Sequence, residues 1–121
     1  MPMRGLTIIL AMPDAGRWRA ALTLAAAQAA LGGRTRVFLQ GEAVVLLDRM
    51  EDGEDARHRA LGLPMIAELF DDALALGVEI IACQSGLLLA GLEASQLDRR
   101  IAFGGPVSVL QTIGEDRLTL L

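Results

Sequence analysis

The sequence is poor in the residues that most site chemistry is built from. It carries one cysteine, Cys83, and one histidine, His58, in 121 residues. A single thiol closes no internal disulfide. One thiol and one imidazole also exclude zinc ribbons, Cys-x-x-Cys redox pairs and multi-histidine metal sites within one chain, so no metal is expected. Tyrosine is absent, and the only rings are Trp18, Phe38, Phe70 and Phe103. So few aromatics give no stacking platform for bases, and a net charge of −4 draws in no phosphate backbone. No nucleic-acid partner is expected. No Gly-x-Gly-x-x-Gly or Walker pattern occurs. The first loop, Pro13-Asp14-Ala15-Gly16, lacks the Ser/Thr-rich phosphate cradle of a flavodoxin-like protein, and no organic cofactor is expected. Ser85 and His58 make no evident catalytic triad.

Long apolar runs are missing as well. The longest charge-free stretches, Ala20 to Gly33 and Ile80 to Leu92, are too short and too small or polar to cross a bilayer. No signal peptide is visible, because Met1-Pro2-Met3-Arg4 leads straight into a strand-like run. A cytoplasmic location without membrane attachment is the simplest expectation.

What is present is apolar aliphatic sequence, 53% hydrophobic residues. That is high for a small protein. Parallel strands, buried on both faces, account for part of it. A subunit interface accounts for the rest, so an oligomer is expected. The length suits one domain, residues 1–121. Gly5 to Met12 reads as a buried strand, and alanine-rich Arg17 to Leu31 as a helix closed by Gly32-Gly33. Arg34 to Leu39 is a second strand, and Glu42 to Asp48 a short helix. The charged stretch Arg49 to Gly62 reads as a mobile loop, placed to cover whatever lies at the strand ends. Leu63 to Leu76 is an amphipathic helix with Ile66, Leu69, Phe70, Ala73 and Leu74 on its buried face. Val78 to Ala82 is the third strand. Gln84 to Leu92 is a helix, Glu93 to Leu97 a short helix or turn, Arg100 to Phe103 a fourth strand, Val107 to Ile113 a helix and Arg117 to Leu121 a closing strand. Alternation of strand and helix implies a three-layer α/β/α domain with a mainly parallel sheet of about five strands.

Such sheets place their sites beyond the carboxyl ends of the strands. The contributors there are Met12 to Gly16, Gln40-Gly41, Cys83 to Gly86 and Gly104 to Pro106. Cys83 is the centre of interest. It ends a buried strand and precedes a helix, whose free N–H groups favour a thiolate. A thiol at a strand end is expected to be partly open to water. The alternative is that Cys83 is a small core hydrophobe. Gly104-Gly105 before a helix is able to present N–H groups to an anion or thiolate, or simply to make a turn.

Cys83-Gln84-Ser85, followed by Gly91-Leu92, Leu97 and then Gly104-Gly105, resembles the DsrE/DsrF-like family of sulfur-relay and peroxiredoxin-like proteins. The resemblance spans essentially the whole chain. It implies an α/β/α domain assembled as homo- or hetero-oligomers, trimers or hexamers. It also implies that Cys83 carries sulfur as a persulfide between partner sulfur-transfer proteins. Where many relatives have methionines and an acidic residue after Cys-Gln, this chain has Ser85-Gly86-Leu87-Leu88-Leu89. The expected site is Cys83 as the reactive group, with Gln84, Ser85, Gly104 and Gly105 around a ligand. The competing expectation is a non-catalytic oligomeric module of the same fold that binds a small ligand or a protein.

Overall fold

The computed structural model describes residues 3–121. Five strands, β1 (Leu6–Leu10), β2 (Thr35–Leu39), β3 (Glu79–Cys83), β4 (Ala102–Gly104) and β5 (Arg117–Leu120), make one sheet in the order β4-β3-β2-β1-β5. Every neighbouring pair is parallel. The connections hold α1 (Ala15–Ala30), α2 (Asp55–Ala60), α3 (Ile66–Ala75), α4 (Gln84–Ala90) and α5 (Pro106–Gln111), with 3₁₀ turns at Gly41–Leu47 and Ala94–Gln96. The expected α/β architecture is present, with the sheet wholly parallel.

Local sequence explains the main elements. All five positions of β2 are buried, as a central strand requires. Asp14 caps α1 by accepting the Arg17 N–H at 3.1 Å. The buried stripe Trp18, Ala21, Leu22, Ala25 and Gln28 follows helical spacing. It lies on β1 and β2 and against α3. In α3, Ile66, Phe70 and Ala73 are buried, while Leu69 and Leu74 are half-buried at the margin.

The layers are unequal. The steps from β1 through β4 all cross the sheet in one direction, so right-handed crossovers put their helices on one face. Only the return from β4 to β5 covers the other face, with the six-residue α5, of which only Val109 is buried. A single buried cation ties this thin layer down. The Arg36 side chain, 4% exposed, rises from β2 toward α5. Its Nε donates to Thr7 Oγ1 at 3.0 Å, Nη1 to Thr112 Oγ1 at 2.7 Å and Nη2 to the Val109 carbonyl at 3.0 Å. Asp116 stands 3.8 Å from Nε and accepts the Thr7 hydroxyl at 2.8 Å. One guanidinium therefore joins β1, β2, α5 and the turn into β5. A buried charge is tolerable only with such satisfaction.

The charged stretch Arg49 to Gly62 is not the bare loop that its composition suggests. It contains α2, and its acids find a partner on α1. Asp55 accepts Arg19 Nη2 at 2.7 Å, the Asp52 N–H at 3.0 Å and the Ile66 N–H at 3.1 Å. Arg19 also donates to the Pro64 carbonyl at 2.6 Å, and its side chain is 13% exposed. A charge run read in isolation looks solvated; here a half-hidden arginine thirty-six residues before Asp55 folds it down. Among the described residues none of its hydrogen bonds reaches Cys83, so these bonds do not hold it as a cover over the thiol. The fourth strand starts at Ala102 rather than Arg100, because Asp98 holds the Arg100 N–H and Nε in a side-chain turn, each at 2.9 Å.

Two outcomes follow from these anchors. Arg36→Ala removes one partner of a buried pair and leaves Asp116 with only the Thr7 hydroxyl and the half-exposed Arg34 at 3.8 Å, so it should cost about 3 kcal/mol in urea unfolding. Asp55→Asn should free the α2 segment, with trypsin cleavage at Arg57 or Arg59 about tenfold faster. Burial pushes the Asp55 carboxyl up, but the Ile66 and Asp52 amides and Arg19 outweigh it and leave it below its usual 3.8. A depressed carboxylate contributes its full stability above its unfolded value. Acid should therefore release the same segment in wild type as pH falls below about 3.8, which hydrogen exchange would read directly.

Candidate functional site

Because every strand runs the same way, the ends of β1 to β4 meet at one edge. Gln40-Gly41 follows β2 there, Cys83 closes β3, and Gly104 closes β4. Gly104 pairs directly with Cys83 in the ladder. Cys83 is at once the last residue of β3 and the N-cap of α4, with φ −69° and ψ 122°. Its extended backbone lets the strand end and the helix begin without a linking residue.

The thiol is 2% exposed. The expectation of a partly open thiol is corrected: α4 packs onto the Gly41–Leu47 turn and closes over the strand end. The burial is shallow, since Ser85, whose Oγ lies 3.3 Å from Cys83 Sγ, is itself exposed. The backbone N–H groups of Gly41, Gly86 and Ser85 also favour the charged form of the thiol. Burial is the largest single influence and pushes the thiol up. The Ser85 hydroxyl and the three N–H groups together outweigh it and hold the thiol below its ordinary value of 9.0. The agent is this set of individual donors. A helix of seven residues such as α4 has too little macrodipole to do it alone.

The residues singled out from sequence divide accordingly. Ser85 bonds the sulfur and Gly104 lies beside it. Gln84 is exposed on the outer side of α4. Gly105 is at the same edge, but its N–H is engaged by Ser108 Oγ at 3.1 Å, and that hydroxyl donates back to the Gly105 carbonyl at 3.0 Å. The glycine pair is thus a closed turn. Gly41 and Gly86 emerge as donors to the thiol. Gly41 was legible only as a strand-end glycine; its φ of 58° is a left-handed conformation that suits glycine.

Among the described residues, no three metal-ligating side chains cluster. No described helix is long and apolar enough to cross a membrane. A cavity of about 210 Å³ lies between α5 and the sheet, lined by Arg36, Glu79, Ile81, Ser108 and Thr112 among others. Chemically, the strand edge offers a thiolate held by neutral donors, suited to nucleophilic attack on sulfur.

Comparison with known proteins agrees with the α/β fold. The family model described as the DsrE/DsrF-like family matches residues 5–117. The ychN protein from E. coli shares the fold at TM-score 0.73 and 17% identity, over 98% of this chain and 100% of that one. A protein of unknown function, MTH1491 from Methanobacterium thermoautotrophicum, does so at TM-score 0.71 and 15% identity, over 98% and 100%. A conserved protein of unknown function, BT1422 from Bacteroides thetaiotaomicron, gives TM-score 0.64 and 14% identity, over 95% and 94%. At these identities the likeness is one of fold. No curated protein matches the chain.

The donor set makes a direct prediction. The rate of Cys83 alkylation should rise with pH through a midpoint below 9.0. Ser85→Ala removes one hydrogen bond to the thiolate and should move that midpoint up by about one unit. An unchanged profile would show that the hydroxyl does not act on the charged form.

Proposed function

Because the chain belongs to the DsrE/DsrF-like family, we propose that it is a sulfur carrier with Cys83 as the persulfide-bearing residue. One observation supports the reading above others: a lone thiol at the strand edge is made more acidic in spite of its burial. Acidification of a packing residue would serve no purpose, whereas a sulfur acceptor needs it. The Cys83 thiolate attacks the outer sulfur of a donor persulfide, R–S–SH. A new S–S bond forms at Cys83, the donor S–S bond breaks, and the donor leaves as R–S⁻. The product is Cys83–S–SH, with no net oxidation or reduction. The second step is the same displacement by a partner protein's thiolate. With no second cysteine, the chain has no means of discharging its persulfide internally. The Ser85 side chain is the part that swings aside to admit the donor. A reducing cytoplasm keeps the thiol free between cycles.

The carrier works as an oligomer, a trimer or hexamer. Support comes from the thin face of the sheet. There Leu118 and Leu120 on β5 are 52% and 70% exposed, and Val107 and Leu110 on α5 are exposed beside them. The second reading, a non-catalytic binding module, is favoured by the cavity beneath α5 and by the burial of Cys83.

Mass spectrometry of the intact protein separates the two. After incubation with a low-molecular-weight persulfide, wild type should gain one sulfur atom that reductant removes. Cys83→Ser should gain none. A wild-type protein that stays unmodified while its thiol is titratable in the folded state would leave the binding module as the function.

A further inference from the structure

Gly86 has no apparent chemistry, yet it stands in the tightest place near the sulfur. A Cβ built on it would strike the carbonyl oxygen of Gly41, with the Gly41 carbonyl carbon 2.9 Å and Cα 3.1 Å away. All three atoms are backbone, so no flexible side chain is available to yield. Gly41 is held in turn by a left-handed φ of 58°, a conformation that suits glycine. Two glycines, forty-five residues apart, therefore bring α4, which Cys83 caps, into backbone contact with the turn after β2.

We infer that Gly86 is a positioning residue for the Cys83 thiolate: its missing side chain lets α4 lie against the Gly41 carbonyl, and this contact keeps the Gly41 N–H on the sulfur. The built Cβ also lies 3.1 Å from Gly41 Cα, the atom that joins this carbonyl to the N–H of the same residue, so a push on the carbonyl and the Cα together shifts that amide as well. A methyl group at residue 86 must push that backbone away before any side chain can adjust. The groups acting on the sulfur are burial, the Ser85 hydroxyl and the N–H groups of Gly41, Gly86 and Ser85, with no charged side chain among them. Loss of one N–H is therefore not masked by a neighbouring ion. Helix propensity acts in the opposite direction, because alanine favours α4 more than glycine does. Any penalty at residue 86 comes from the contact. The inference rests on Cys83 acting as a thiolate, as in the sulfur-carrier reading, but not on what the thiolate attacks.

The test compares the pH profile of iodoacetamide labelling in wild type, Gly86→Ala and Gly53→Ala, whose added methyl meets nothing within 4 Å. Gly86→Ala should raise the midpoint by about one unit. Below both midpoints it should label about threefold more slowly. Its thiolate fraction falls about tenfold, but a more basic thiolate is a better nucleophile and recovers part of the loss. Gly53→Ala should match wild type. A folded Gly86→Ala protein with the wild-type midpoint overturns the inference. Should that variant not fold, the wild-type protein decides by NMR. The Gly41 amide resonance should titrate with the thiol midpoint, and Cys83→Ser should abolish that titration. A Gly41 amide blind to the thiol overturns the inference equally. Sulfur uptake from a small persulfide is scored separately. A raised midpoint with no uptake by wild type sinks the carrier reading and leaves the role of Gly86 standing. Uptake by wild type with an unmoved midpoint in Gly86→Ala does the reverse.

Discussion

Parallel pairing of all five strands is the constraint from which the rest follows. Parallel neighbours cannot be joined by a tight hairpin, so each connection must travel back over a face of the sheet. Each then re-enters at the amino edge and delivers its strand end to the same carboxyl edge. Gly41, Cys83 and Gly104 are distant in sequence and adjacent in space for this reason alone. The same constraint fixes the layering. Three steps in one direction load one face, and one return step leaves the other face with α5 and the Arg36 anchor.

Much of this was legible in the chain. Continuous apolar runs gave the buried strands, and Ile66, Phe70 and Ala73 gave the buried side of α3 by spacing alone. The strand-end rule brought out Cys83, Ser85 and Gly104 before any coordinates. What escaped was long-range polar pairing. Arg36 sits in a wholly buried strand beside Val37, Phe38 and Leu39, and nothing local says that its guanidinium will meet Thr112 and Val109 more than seventy residues on. Arg19 and Asp55 escaped for the same reason, and the stretch between Arg49 and Gly62 was misread as a result. Gly86 fell within the strand-end set, but its contact with Gly41 escaped because a glycine in a helix carries no signature of what it is packed against.

The sulfur is neutralised by dipoles rather than by a cation. An arginine or lysine at hydrogen-bonding distance would stabilise the thiolate more strongly, but it would also lower its nucleophilicity and favour one fixed ion pair. Neutral donors have a weaker hold on the sulfur. A thiol whose charge is to appear and disappear is better matched to donors that exact no large penalty in either state.

The shallow burial of Cys83 has a kinetic meaning. A sulfur with 2% exposure reacts only from a fraction of molecules whose edge has opened. The rate with any reagent is then the opening equilibrium multiplied by the intrinsic reactivity. An opening that costs about 1.4 kcal/mol slows every uninvited encounter about tenfold. A diffusing oxidant bears that factor in full. A protein that could prise Ser85 aside with its own binding energy would not. Burial of this kind would sort reagents by whether they can open the edge rather than by charge or size.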